Sequence, residues 1–259
     1  MIHPSAQIHP SARLGNAVVI GPLAIIEADV VIGHECEISA QAIIKKGSVL
    51  GEKVKVDHFA VVGGDPQDLH FNSSTSSNVS IGDATVIREH VTIHRATTEG
   101  GTTRIGKNNF IMAGAHVAHD CTTGNHVILA NGCMLGGHVN VGDHAFISGG
   151  VAVHQFCRIG GGSMTSGNAV ITEDVPPHGL AHSRNQISGL NLVGLRRRGH
   201  SNEVIAEIKK AYHCVYAPSG NCTDFAQSAL KSGEFITPEA LEFLDFFLGG
   251  KRGRTVQPE

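Results

Sequence analysis

Tryptophan is absent from this chain of 259 residues, and aromatic residues make up only 5% of it. Its interior must therefore be filled by aliphatic side chains rather than by large rings. The chain also lacks any apolar run of about 18 residues, the length of a membrane-spanning helix, so we expect no integral membrane segment. The net charge of −3 supplies no basic field, which argues against a nucleic-acid partner.

The six cysteines are scattered and include no Cys-x-x-Cys pair. Their spacing favours neither a disulfide framework nor a structural zinc site. The amino terminus, Met1-Ile2-His3-Pro4, has none of the features of a signal peptide. Free thiols are typical of a reducing compartment, so the sequence predicts a cytoplasmic protein.

A six-residue repeat dominates the sequence. Aliphatic residues occupy every sixth position over 2–62 and most of the sixth positions over 81–171, where Thr123 and Thr165 are the polar members. Neither a helix, with its period of about 3.6, nor an alternating strand, with its period of 2, produces this pattern. A hexad repeat is typical of a parallel β-helix, in which each hexad forms one wall of a triangular coil and points its aliphatic residue inward. The sequence therefore predicts a mainly β fold.

Two interruptions and a change of period divide the chain. We expect a β-helix over residues 1–187, with external loops at 63–80 and 94–104, where the hexads lose their phase. Solenoid insertions of this kind often carry function. From about residue 188 apolar residues recur at helical spacing, so residues 188–259 are predicted to form an α-helical cap. The tail, 251–259, is expected to be mobile.

Histidine is unusually frequent, with 17 residues in the chain. Because three hexads close one coil in such β-helices, residues 18 positions apart stack on one another. The predicted stacks include His119 on Gly137, Asp120 on His138, and His154 on Gly136. An imidazole beside a glycine whose amide can be approached closely suits acyl transfer, because the imidazole removes a proton and the amide stabilises an oxyanion.

Small residues form two further columns, which predict a groove along the axis for an extended alkyl chain. The columns are Asn131, Gly149 and Gly167, and Gly132, Gly150 and Asn168. Gly167 lies roughly 13 Å further along the axis than His119, at about 4.8 Å per coil. Several other histidines are interpreted as surface residues, namely His3, His9, His34, His126, His178 and His200.

Six segments together resemble the UDP-N-acetylglucosamine acyltransferases that begin lipid A synthesis. They are VTIHR (91–95), AHVAHDC (115–121), ILANGCMLGGHV (128–139), VAVHQFC (151–157), ITEDVPP (171–177) and GLNLVGLRRRG (189–199). The resemblance covers essentially the whole chain, including PQDL at 66–69. It implies a left-handed parallel β-helix, a homotrimer with active sites between subunits, and no cofactor or metal. The implied substrates are an R-3-hydroxyacyl-acyl carrier protein and UDP-N-acetylglucosamine.

The resemblance also implies residue roles. His119 matches the general base, Gly137 the oxyanion-hole amide, and Asp120 the acid that supports the base. Neighbours on a strand point to opposite faces, so the pairing of His119 with Asp120 requires a corner conformation. The substrate-binding matches are Gln67 and Asp68 for the sugar, His116, His138, His154 and Gln155 for the acceptor pocket, and Asn191 and Arg197 for the nucleotide. Gly167 matches the position that limits acyl-chain length.

Two departures from the family pattern bear on the acceptor. His70 stands where many relatives have lysine, and Val193 where many have glutamate. Transfer onto a 3-amino UDP-sugar therefore stays open. A zinc-dependent lyase like carbonic anhydrase, with His116, His119 and His138 as ligands, is a second alternative. A non-catalytic scaffold and the N-acyltransferase of the same pathway, which carries a different amino-terminal domain, are less favoured.

Overall fold

The computed structural model of the protein describes residues 1–217, 219–250 and 254–258. Within them the chain forms short strands that coil into a three-walled prism, followed by four α-helices. The mainly β fold predicted from the hexads is confirmed. Each wall is one sheet, and the chain visits the three walls in turn before rising to the next coil.

We call the three walls face 1, face 2 and face 3. Face 1 consists of β1 (Gln7–Ile8), β4 (Ile25–Ile26), β7 (Ile43–Ile44), β10 (Val61–Gly64), β13 (Thr92–His94), β16 (His116–Val117), β19 (Met134–Leu135), β22 (Ala152–Val153) and β25 (Val170–Ile171). Face 2 consists of β2 (Arg13–Leu14), β5 (Val31–Ile32), β8 (Ser48–Leu50), β11 (Asn78–Ile81), β14 (Thr102–Ile105), β17 (Thr122–Thr123), β20 (Asn140–Val141) and β23 (Arg158–Ile159). Face 3 consists of β3 (Val19–Ile20), β6 (Glu37–Ile38), β9 (Lys55–Val56), β12 (Val86–Ile87), β15 (Phe110–Ile111), β18 (Ile128–Leu129), β21 (Phe146–Ile147), β24 (Met164–Thr165), β26 (Gly179–His182) and β27 (Gln186–Leu190).

The strands of each face pair in parallel, except for the terminal hairpin of β26 and β27. Residues 18 apart are register partners, as in Ile25 with Ile43 and Met134 with Ala152, which confirms the three-hexad coil. From Ile20 onward the aliphatic members of the repeat fill the interior. The two polar members are also buried, and their hydroxyls are satisfied: Thr123 Oγ1 accepts from Asn109 Nδ2 at 2.8 Å, and Thr165 Oγ1 from the Ser148 amide at 3.0 Å.

The cysteines follow the same logic. All six are free thiols, and the four within the repeat are buried in the interior of the coils. Burial raises the pKa of Cys121 and of Cys133 to about 12, so both thiols stay protonated and serve as core filler.

The two insertions are shorter than the sequence predicted, because their ends join the sheets. Residues 63–64 belong to β10 and 78–80 to β11, which leaves a connection at 65–77. The second insertion likewise narrows to 95–101 between β13 and β14. We call these connections loop 65–77 and loop 95–101.

The carboxyl-terminal part contains α1 (Leu192–Arg197), α2 (Asn202–Tyr216), α3 (Cys222–Ser232), α4 (Pro238–Asp245) and a 3-10 turn (Phe246–Leu248). The hairpin of face 3 reaches Leu190, so the first helix begins at Leu192 rather than at residue 188. Ser201, Asn221 and Thr237 cap the three longer helices with their side chains. None of the helices in the described part of the chain has the length and apolar character needed to cross a lipid bilayer.

The tail differs from its expectation. Thr255 and Gln257 form bridges with Asp174 and Gln186, and Val256 is fully buried against the end of the β-helix. The extended tail therefore covers the last coil, and the prediction of mobility is wrong for residues 254–258. The rest of that predicted segment, 251–253 and 259, lies outside the described residues.

Candidate active site

The corner between faces 1 and 2 brings His119 and Asp120 together. Both follow β16, and Asp120 adopts a left-handed backbone conformation with φ of 60°. That turn places the two side chains on the same side, and His119 Nδ1 lies 2.8 Å from Asp120 Oδ2. The required corner conformation is therefore present. With Nδ1–H donating to the carboxylate, Nε2 of His119 keeps its lone pair and is available as a base.

Asp120 is held as a carboxylate by its surroundings. Burial alone would raise its pKa, but hydrogen bonds from Thr97 and His119 outweigh that effect and lower the pKa below its ordinary value. Thr97 donates to Oδ2 through both its backbone amide at 3.1 Å and its hydroxyl at 2.7 Å. Thr97 belongs to loop 95–101, and its role could not be predicted from the repeat because the insertion lies outside it.

Gly137 stacks on His119, as predicted. A Cβ atom added to Gly137 would lie 2.5 Å from His119 Cε1 and 2.7 Å from Nε2, so only glycine leaves room for the imidazole. The amide N–H of Gly137 donates no hydrogen bond to any described residue. It therefore remains available to a ligand beside the basic nitrogen.

Equivalent amides at another corner of the prism are capped. The N–H groups of Asn16, Lys107 and Asn125 donate to side chains of the next coil at 2.7–2.8 Å. Capping of this kind is the ordinary way to satisfy a turn amide. The Gly137 amide is buried and is not capped in this way, and it lies beside the base, which makes it a candidate donor to a ligand.

Three further imidazoles surround the pair. The Nε2 atom of His138 lies 3.7 Å from Asp120 Oδ2, and the His138 ring stacks on that of Phe156. His116 Nδ1 bonds to Thr92 Oγ1 at 2.7 Å, and burial lowers the pKa of His116. His94 packs edge-on against His116, with ring centroids 4.7 Å apart.

Sequence reasoning missed His94 as a member of this cluster. The residue is only 7% exposed, its Nδ1 is buried without a hydrogen-bond partner, and burial lowers its pKa to about 4. His94 is therefore neutral at physiological pH. The predicted motif at 91–95 contained it, but its place one residue beyond the inward Ile93 gave no reason to single it out.

Four further site candidates from the sequence have exposed side chains. His154 and Gln155 are exposed at the same corner, one coil beyond Gly136 and Gly137. Gln67 and Asp68 are exposed on loop 65–77, where Asp68 Oδ1 accepts from the amide of His70 at 2.9 Å.

Asn191 and Arg197 belong to the first helix of the cap. Asn191 caps α1 through Oδ1 and donates from Nδ2 to the Gly162 carbonyl at 3.0 Å. Arg197 is exposed. The expected nucleotide contact of Asn191 would therefore come from an amide that already anchors α1 to the β-helix.

His178 and His200 are not simple surface residues, contrary to their interpretation. His178 is 6% exposed, accepts from Arg198 Nη2 through Nδ1 at 3.1 Å, and has its pKa lowered to about 4 by burial. His200 pairs with Glu239 at 3.1 Å. Both lie where the cap meets the β-helix, beyond the point at which Pro176 and Pro177 end the 18-residue lattice, so stacking arithmetic could not place them.

The small-residue columns stack as predicted, but they occupy a different corner. Gly149 lies against the Asn131 carbonyl and Gly167 against that of Gly149, all between faces 3 and 1. His119 lies between faces 1 and 2, so the outer surface of face 1 separates it from Gly167. A groove joining them cannot run straight along the axis and must cross face 1 obliquely.

A metal site is a separate possibility at this corner. Among the described residues, His119, Asp120 and His138 form the one group of His, Cys, Asp or Glu that could hold a metal ion, with ligand atoms within 4.8 Å of one another. The expected ligand His116 is not part of it. Asp120 Oδ2 already accepts three hydrogen bonds, from the Thr97 amide, the Thr97 hydroxyl and His119. That saturation suits an oxygen that orients an imidazole better than one that binds zinc.

Known proteins match this chain over nearly its full length. The family described as UDP N-acetylglucosamine O-acyltransferase, domain 2, matches residues 174–255, and the bacterial transferase hexapeptide repeat matches 11–46 and 102–137. A relative from Syntrophobacter fumaroxidans, named acyl-(acyl-carrier-protein)–UDP-N-acetylglucosamine O-acyltransferase, is 42% identical over 97% of this chain and 98% of its own length.

Solved structures agree with these matches. A UDP-N-acetylglucosamine acyltransferase from Bacteroides fragilis is 40% identical with a TM-score of 0.93, and one from Campylobacter jejuni is 38% identical with a TM-score of 0.92. Each comparison covers 99% of both chains. The likeness confirms the left-handed parallel β-helix expected from the sequence. This chain belongs to the family of UDP-N-acetylglucosamine O-acyltransferases.

Proposed function

We propose that this protein transfers an R-3-hydroxyacyl group from acyl carrier protein to the 3-hydroxyl of UDP-N-acetylglucosamine, the first step of lipid A biosynthesis. The family membership supports the reaction, and the corner between faces 1 and 2 supports the mechanism. The observation that carries it is the imidazole of His119 packed against Gly137, whose amide has no partner among the described residues.

The proposed chemistry needs no metal or cofactor. His119 Nε2 takes the proton of the sugar 3-hydroxyl as the oxygen attacks the thioester carbonyl carbon. The developing oxyanion accepts from the Gly137 amide. The carbon–sulfur bond then breaks, and the imidazolium returns its proton to the leaving thiolate. Asp120 holds Nδ1–H throughout and stabilises the imidazolium, and Thr97 keeps Asp120 in place.

Substrate contacts follow from exposure and from the family match. Gln67 and Asp68 present exposed polar groups for the sugar, and Arg197 an exposed cation for the diphosphate. The acceptor pocket is assigned to His116, His138, His154 and Gln155, with Asn191 at the nucleotide end. The six free thiols favour a cytoplasmic location.

We also propose that the active protein is a homotrimer, because the outer surfaces of two walls are mainly apolar and that of the third is mainly polar. The exceptions are the Glu37–Lys55 ion pair on face 3 and the outward Val31 and Val49 on face 2. Outward residues of face 1 include Ile25, Ile43, Val61, Met134, Ala152 and Val170. Those of face 3 include Val86, Phe110, Ile128, Phe146, Met164 and Leu180. Those of face 2 include Arg13, Ser80, Arg104, Thr122, Asn140 and Arg158.

Packing face 1 of one subunit on face 3 of the next buries both apolar walls. Such an interface joins two different surfaces, and a ring of three subunits closes it around a threefold axis. The polar face 2 then stays in solvent.

Met164→Glu should therefore break the assembly, because it places a charge on apolar face 3. Asn140→Glu, on exposed face 2 one coil away, is the matched control and should stay trimeric. Sedimentation velocity of both variants and of the parent measures this. A parent that sediments as a fully active monomer would refute the trimer.

The acyl chain is proposed to lie between face 1 and the neighbouring subunit, from His119 to Gly167. The outward side chains on that oblique path are Met134, Ala152 and Val170, all apolar, and Met134 is 49% exposed. Gly167 leaves the far end open, which suits a long, myristoyl-class chain.

Gly167→Met should shift preference toward shorter acyl chains. A side chain is tolerated there, because an added Cβ would only meet the Gly149 carbonyl at 3.6 Å. Each buried methylene is worth about 0.8 kcal/mol, so excluding two of them changes selectivity by on the order of tenfold. Competing acyl carrier proteins of different chain length in one reaction give the ratio directly. An unchanged ratio would place the acyl path elsewhere.

The function itself is tested by mass spectrometry of the product. The purified protein is given competing acyl carrier proteins with UDP-N-acetylglucosamine and its 3-amino analogue, with and without EDTA. We expect an ester on the 3-oxygen, formed equally well in EDTA. Preferential amide formation would favour the 3-amino acceptor, and loss of activity in EDTA would favour a metal-dependent reaction.

A further inference from the structure

Arg95 holds loop 65–77 at several points through one guanidinium. Its Nε donates to Asp65 Oδ1 at 2.9 Å, its Nη2 to the Ser73 carbonyl at 3.0 Å, and its Nη1 to the Thr75 carbonyl. Its planar group also lies over the ring of Phe71, 4.8 Å from the ring centroid. The side chain is only 11% exposed.

The contacts of Arg95 span both ends of the loop and leave its tip free. Asp65 opens the loop, while Ser73 and Thr75 belong to its return. The tip, 67–70, is exposed, and Leu69 makes no contact that shields it from solvent. A planar fork with several donors is suited to fixing such a geometry, because one rigid group satisfies several backbone carbonyls at once.

Loop 95–101 reaches the catalytic corner as well. Arg95 binds loop 65–77, and Thr97, two residues later, donates twice to Asp120. The two loops are further joined by Ser77 Oγ, which donates to the Ala96 carbonyl at 2.5 Å, and by the Ser76 amide, which donates to Glu99 at 2.9 Å. Residues 95–97 thus contact both loop 65–77, whose tip is exposed, and the Asp120 carboxylate, which orients His119.

We infer that Arg95 is a positioning residue that holds Gln67 and Asp68 in place for the sugar nucleotide. This inference rests on the proposed function. Arg95 itself is turned away from the reacting atoms, into the loop. Its loss frees the part of loop 65–77 between Asp65 and Thr75, while Ser76 and Ser77 keep their bonds to loop 95–101 and Thr97 keeps its bonds to Asp120. Removal of the Arg95 side chain should therefore weaken binding of the UDP-sugar more than it lowers the turnover rate.

The test compares Arg95→Ala and Arg95→Lys with Arg104→Ala as a matched control. Arg104 is an exposed residue on face 2, and its guanidinium donates to the Thr102 carbonyl of its own strand. We expect Arg95→Ala to raise the KM for the UDP-sugar by on the order of tenfold or more, with kcat and the KM for acyl carrier protein changed less than threefold. Arg95→Lys should recover little, because an ammonium group cannot reproduce the fork.

Hydrogen exchange of residues 65–77 supplies a readout that is independent of activity. Exchange there should quicken in Arg95→Ala and stay unchanged in Arg104→Ala. Asp65→Ala, which removes only one of the contacts, should give a smaller change in the same direction and covers the case in which Arg95→Ala fails to fold.

Failure of the proposed function and failure of the Arg95 positioning role give different results. A parent protein that transfers no acyl group to the UDP-sugar would overturn the proposed function, whatever the exchange data show. The positioning role would be overturned if the parent is active and Arg95→Ala keeps the parent KM for the UDP-sugar. It would also be overturned if Arg95→Ala lowers kcat and raises both KM values to a similar extent.

Discussion

His119→Ala should lose about 10²–10⁴-fold in kcat while the protein stays folded and trimeric, because a positioned general base contributes that much to acyl transfer. The side chain carries no part of the aliphatic core, so its removal does not open a cavity there. The measurement is the initial rate of ester formation at saturating substrates, with circular dichroism and sedimentation on the same samples.

His126→Ala is the matched control. His126 is another coil-corner histidine, and its ring stacks on that of His144, away from the catalytic corner. Its variant should keep the parent rate. Near-parent turnover in His119→Ala would mean that another group removes the proton, and the neighbouring His116 and His138 would then be tested in turn.

The coil register was predictable because, in a β-helix, the number of residues between two positions determines whether those residues stack. Residues 18 apart are neighbours wherever the repeat is unbroken, so His119 and Gly137 could be paired without a structure. The same arithmetic shows why the prediction of a straight groove along the axis was wrong. His119 and Gly167 are not separated by a whole number of coils, so they lie at different corners of the prism. The distance along the axis did not include the width of face 1, which lies between them.

The insertions could not be predicted in this way. Thr97 and Arg95 lie in loop 95–101, where no period relates one residue to its neighbours in space. Their partners, Asp120 and loop 65–77, are found only when the chain is folded. His178 was misjudged for a related reason: the lattice ends just before it, and the cap then buries a residue that the coil alone would leave exposed.

Gly137→Ala is the sharpest probe of the packing of His119 against Gly137, because it changes one carbon and keeps the amide. The Gly137 backbone has no positive φ, so alanine is tolerated conformationally. The added Cβ, however, would overlap the imidazole at 2.5 Å from Cε1, and His119 is fixed on its other side by the 2.8 Å bond to Asp120. The imidazole must move, and a displacement of about 1 Å at a reacting group costs roughly 10²-fold.

We therefore expect Gly137→Ala to lower kcat by about 10²-fold, with an unchanged oligomeric state and a thermal midpoint close to that of the parent. Gly161→Ala is its control, since a Cβ there meets the Asp143 carbonyl at 3.2 Å and no residue of the catalytic corner. Because the variant retains the amide and moves the base, a full rate in Gly137→Ala would show that the His119 ring need not occupy this position during transfer. The stacking of imidazole on glycine would then be a packing feature of the coil, and the mechanism built on it would fail.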